Sequence, residues 1–162
     1  MIVMLMLLID TNYEEAAYYL IGKLGEGNAL QITDGVIITW RSRESVERAL
    51  LSLKEKVISK VSGEGNVELS FALIDLSEEQ LARLRTMIRD RLIKLDRETY
   101  RHIDAIKNRF DRMSEKRLET EVRFLDKKYE SLMNIHNKLK IMTPETEKLI
   151  DAMKELRIIL RK

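Results

Sequence analysis

Among its 162 residues the chain has no cysteine, one proline, six glycines and two histidines. The missing thiol excludes disulfides, cysteine nucleophiles and thiolate zinc sites. His136 lies on an apolar helical seam and reads as a packed core histidine. His102 follows Arg101 in a charged helix and reads as exposed. Neither has a second histidine at ligand spacing, and no serine sits in a nucleophile-elbow pattern. The glycines of "GKLGEGN" lack the spacing of a phosphate loop and read as a helix stop. Aromatic residues make up only 6%, too few in the basic helices to stack single-stranded bases.

Long hydrophobic runs are equally scarce. "MIVMLMLLI" has nine apolar residues, whereas a membrane helix needs about 20. No basic stretch precedes the run and no small-residue cleavage pattern follows it. It reads as a buried strand, with no membrane partner, and the chain is placed in the cytoplasm.

Charge is abundant at 35%, and with so little proline and cysteine it fits an intracellular protein of a hot habitat. The net charge of +2 hides a division. Residues 1–76 carry 7 Lys+Arg and 11 Asp+Glu, a net of −4; residues 77–162 carry 22 and 16, a net of +6. Two parts, 1–76 and 77–162, are expected.

The first part alternates strands and helices. A strand at 2–9 leads to a helix through "YEEAAYYLIGKL", with Asn12 as cap and Glu15 as its capping-box partner. Asp34-Gly35 between apolar runs predicts a hairpin with a type I′ turn, strands 29–33 and 36–41. Val46, Leu50, Leu53, Val57 and Val61 make one face of a helix from Arg43 to Val61. "SGEGN" (62–66) is a loop. "VELSFALIDL" (67–76) alternates Val67, Leu69, Phe71 and Leu73 inward. The order β-α-β-β-α-β is the ferredoxin-like plan, so the expected class is α+β with a helical extension.

From Ser77, which forms a capping box with Gln80, the period is helical. Leu81, Leu84, Ile88, Leu92, Leu95, Ile103, Ile106, Phe110 and Met113 form a long stripe broken at Ser114. Leu118, Val122, Leu125, Tyr129, Leu132, His136 and Leu139 alternate by four and three, as in a coiled coil. Thr143 and Pro144 start a last helix, lined by Leu149, Met153, Leu156 and Leu160. Such seams, and the edges of a small sheet, need covering, which predicts a homodimer.

Two candidate sites follow. Arg85, Arg89, Arg97, Arg101, Arg109, Arg112 and Lys116 recur at multiples of three and four, as a flank that tracks phosphates would. Asp90, Asp96, Glu98, Asp104 and Asp111 are interleaved and set to pair with them at i, i+4 spacing. Asp10 ends the first strand. It is either a metal ligand, sharing Mg²⁺ with its counterpart in a dimer, or a carboxylate that helps cap the next helix; capping is the expectation.

"KLGEGNALQITDGVIITW" resembles a segment in the N-terminal domain of chromate-resistance regulators, through Lys23, Leu24, Gly25, Leu30, Asp34, Gly35 and Val36. "RDRLIKLDRETYRHI" and "RLETEVRFLDKKYESL" are similar to that family's tyrosine-bearing and leucine-seamed helices. The family's arginine-rich first helix is here "AAYYLIGKL". The first part also looks like the small CRISPR-associated subunit of spacer integration, in which an aspartate ends the first strand as Asp10 does. The first resemblance implies a regulator. The second implies a dimer, and a metal-dependent nuclease in some members.

The leading expectation is a non-enzymatic, dimeric regulatory or nucleic-acid-binding module that uses the basic extension. The alternatives are a Mg²⁺-dependent nuclease with Asp10 as ligand, and an adaptor whose 118–139 helix docks a partner protein.

Overall fold

A computed structural model describes residues 4–61 and 68–161. The expected loop at 62–66, the side chain of Val61, and Val67 lie outside the described residues. The chain divides into two compact units, residues 1–85 and 86–162.

The first unit holds β1 (Met4–Thr11), α1 (Ala16–Leu24), β2 (Ala29–Thr33), β3 (Val36–Thr39), α2 (Arg43–Val61) and β4 (Leu69–Leu76). The strands form one antiparallel sheet in the order β2-β3-β1-β4. Leu5, Leu7 and Ile37 face α1 and α2 in a core with Leu20, Leu24, Val46, Leu50 and Leu53. Each fully buried leucine of this kind contributes about 1.5–3 kcal/mol. Met4 and Ile38 point the other way and are buried too, so β1 and β3 carry apolar residues on both faces, as the unbroken run in β1 predicts.

Three local expectations are corrected. α1 starts at Ala16, and Asn12 does not cap it: its Oδ1 accepts the Glu68 N–H at 3.0 Å instead, tying the end of β1 to the start of β4. The hairpin turn is not type I′, because only Gly35 takes a positive φ (72°). A bulge between Gln31 and Thr33 absorbs the offset. In β4, Leu69 and Leu73 pack on the core, but Phe71 is 50% exposed.

α3 (Glu78–Arg109) opens with the Ser77–Gln80 capping box, Ser77 N–H to Gln80 Oε1 at 2.9 Å and Gln80 N–H to Ser77 Oγ at 3.1 Å. The second unit contains its remaining turns, a 3₁₀ turn (Phe110–Arg112), α4 (Glu115–Leu139) and α5 (Pro144–Leu160). Ser114 caps α4, and Thr143 caps α5 in a reciprocal pair with Thr146.

Cross-links give the helix directions. Arg97 meets Glu145 and Lys107 meets Glu155, so α3 and α5 run parallel. Arg157 meets Asp126 while His136 meets Asp96, so α4 runs against both. Ile88, Leu92, Ile103 and Ile106 of α3 are buried, as are Leu125 and Leu132 of α4 and Leu149, Met153 and Leu156 of α5. The long helices therefore fold back within one chain. The seam of 118–139 is covered from Leu125 to Leu139 by its own neighbours, which leaves that stretch closed to a partner helix.

Candidate nucleic-acid interface

All seven basic residues singled out by the sequence are exposed. Arg85 belongs to the first unit and the other six to the second. These six do not form one flank. Arg89, Arg97, Arg101 and Arg109 lie on α3, Arg112 in the 3₁₀ turn, and Lys116 in the first turn of α4. A step of four residues turns a side chain about 40° around a helix, so Arg109 points about 200° away from Arg89. The spacing that looked like a flank is a slow spiral.

The expected pairing with neighbouring acids is also corrected. Arg97 reaches Glu145 on α5 at 3.4 Å, and Asp96 turns inward. Among the described residues, Arg89, Arg101, Arg109, Arg112 and Lys116 enter no ion pair.

Five of the six occupy two surroundings. Arg97 and Arg101 line a cleft of about 520 Å³ between α3 and α5, with Tyr100, Glu145, Lys148 and Asp151. Charges of both signs alternate there. The Glu145 carboxyl is held below its ordinary range, chiefly by its own backbone N–H at the start of α5, with Thr143 and Arg97 adding to it. This cleft is compensated from within. Arg109, Arg112 and Lys116 instead bracket the turn between α3 and α4. With Arg117 they outnumber Asp111 and Glu115 four to two. Arg117 pairs with Glu121, at 3.5 Å.

The residue that sequence reasoning missed is Asp96. Its Oδ1 lies 2.6 Å from His136 Nε2, and its Oδ2 accepts the Thr146 hydroxyl at 2.7 Å. The other ring nitrogen, Nδ1, faces the Ile141 carbonyl at 2.7 Å. All three side chains are buried. Burial pushes the imidazole pKa down, but the Asp96 hydrogen bond, the Ile141 carbonyl and the carboxylate charge outweigh it and hold the pKa above its ordinary value. Both nitrogens face oxygen atoms, an arrangement that favours the protonated ring. The network joins α3, α4 and α5 and is structural. A signal for it lay in the stripe: Asp96 stands four residues after Leu92 and three before the buried Thr99, on the core-facing side.

The remaining histidine, His102, is half-buried against Phe124, with ring centroids 5.9 Å apart, rather than exposed as expected. Burial and then Lys128 lower its pKa.

Asp10 is exposed near the end of β1, opposite Ser70 of β4. Since α1 begins after Glu15, Asp10 is not its cap. It lines an open cleft with Glu14 and Asp34. Among the described residues, no group of three or more His, Cys, Asp or Glu is placed to hold a metal ion. Nor is any described helix long and apolar enough to cross a membrane.

Comparison with family models, with curated proteins and with solved structures gives no match for this chain.

Proposed function

We propose that the chain is a non-enzymatic nucleic-acid-binding module that acts as a homodimer in the cytoplasm. In this reading the first unit is a ferredoxin-like platform, supported by its βαββαβ element order and its β2-β3-β1-β4 antiparallel sheet. The second unit supplies the contact surface. The observation that carries the reading is the exposed trio Arg109, Arg112 and Lys116 at the α3–α4 turn, without ion pairs among the described residues, in a half of the chain with a net charge of +6. Guanidinium groups suit phosphate oxygens, and release of condensed counterions drives such binding.

The test is fluorescence anisotropy with labelled duplex DNA, single-stranded DNA and RNA at low and moderate salt. Replacing Arg109, Arg112 and Lys116 together by glutamine is expected to weaken binding. It should also reduce the slope of log affinity against log salt by about 2–3. Binding unaffected by the triple change, or absent at low salt, overturns the proposal.

A further inference from the structure

The two outer strands of the sheet are built differently. β2 (Ala29–Thr33) is short and bulged between Gln31 and Thr33, and a bulge spoils an edge for further pairing. β4 (Leu69–Leu76) is eight residues long and pairs with β1 without a register break. From Leu69 to Ile74 it reads "LSFALI", with no charge, no proline and no bulge. Sheet edges are usually blunted by one of those devices.

The hydrogen-bond parity of β4 follows from its neighbour. The Ile9 N–H donates to the Gly35 carbonyl, so Ile9 faces the β3 side. Successive residues turn to opposite neighbours, so Met4, Met6, Leu8 and Asp10 face β4. Their partners are Leu76, Ile74, Ala72 and Ser70. The backbone groups of Leu69, Phe71, Leu73 and Asp75 are thus aimed outward. Among the described residues, none of them meets another segment.

We propose that this edge binds a second copy of itself, strand β4 against strand β4 in antiparallel register, about a two-fold axis at Ala72. The proposal deepens the dimeric reading above and is independent of the nucleic-acid surface. This register places Phe71 opposite Leu73 of the other copy, and Leu69 opposite Asp75. It pairs every outward-facing residue and forms about eight interstrand hydrogen bonds. A shift by two residues leaves one end unpaired. The register also sets no acid opposite an acid, and Asp75 keeps its Arg43 partner, 2.9 Å away. Phe71, half exposed in the single chain, gains an apolar neighbour on its own face. The occupant is a second copy because the edge is complementary to itself in both backbone pairing and charge, and because the α4 seam from Leu125 to Leu139 is already covered within the chain.

The lack of any native cysteine makes the test direct. Ala72 is exposed and lies on the axis in a non-hydrogen-bonded pair, where Cα atoms sit about 4.5 Å apart. That is within disulfide reach. Under mild oxidation A72C is expected to cross-link to its own copy. S70C is expected not to, because its two copies lie about 14 Å apart along the strands. Sedimentation of the full chain should show a dimer at micromolar concentration, and Phe71→Lys should weaken it at least tenfold. A dimer in which A72C does not cross-link, or in which S70C cross-links equally, overturns the strand pairing and leaves the dimeric reading standing. A monomer overturns both.

Discussion

Asp96 and His136 are 40 residues apart in sequence and 2.6 Å apart in the core of the helical unit, with neither side chain exposed. Among the described residues of that core, they are the buried pair of titratable side chains. A buried pair of this kind need not add stability over an apolar core, but losing one member leaves the other stranded. Asp96→Ala removes the acceptor for both the imidazole and the Thr146 hydroxyl. Urea unfolding is expected to show a loss of about 3–5 kcal/mol. Asp96→Asn, which keeps an acceptor, should lose less.

The same pair makes stability depend on pH. The native imidazole binds its proton more tightly than in the unfolded chain, where its pKa is near the ordinary 6.5. The stabilisation is therefore complete below pH ~6.5 and fades as pH rises through the higher native value. Melting temperatures measured from pH 6 to 9 should fall across that interval. In His136→Gln the fall should flatten, at a lower starting temperature. A slope unchanged by the substitution would exclude His136 as its source.

Gly35 is required twice over. Its φ of 72° disfavours a side chain, and a Cβ there would run into the Ile9 carbonyl oxygen. Gly35→Ala is expected to destabilise the first unit by about 1–3 kcal/mol in chemical denaturation. Gly22, whose added Cβ meets nothing within 4 Å, should accept alanine without loss.

Asp10→Asn is expected to change unfolding free energy by less than about 0.5 kcal/mol, since the side chain is exposed and makes no hydrogen bond among the described residues. A larger loss would mean that it holds a local contact. Calorimetry with Mg²⁺ on the unmodified chain provides the companion measurement.

Most of what could be read from the sequence depends on near neighbours, although the Asn12 cap and the turn type at Asp34-Gly35, equally local, were misread. α2 runs from Arg43 to Val61, as the spacing of Val46, Leu50, Leu53 and Val57 predicts. The Ser77 and Thr143 helix starts were legible because a cap and its partner lie within three residues, whereas Ser114 read only as a break and proves to be a cap as well. Asp96 was not legible in the same way. Beside Arg97 it looks like half of a surface ion pair; its spacing from Leu92 hints that it points inward, and the partners 40 and 50 residues later show what it meets there. The arginine spiral misled for a related reason. A four-residue step stays on one side over two turns and leaves it over five.

Those two separations bear on how the helical unit assembles. Asp96 cannot be satisfied by anything local. α4 must be docked to bring His136, and α5 to bring Thr146. A half-formed bundle leaves a bare carboxylate in an apolar interior, which is costly. The polar knot thus selects among possible packings of the three helices. It penalises helices docked in the wrong register or order, and rewards the one arrangement in which all three arrive together.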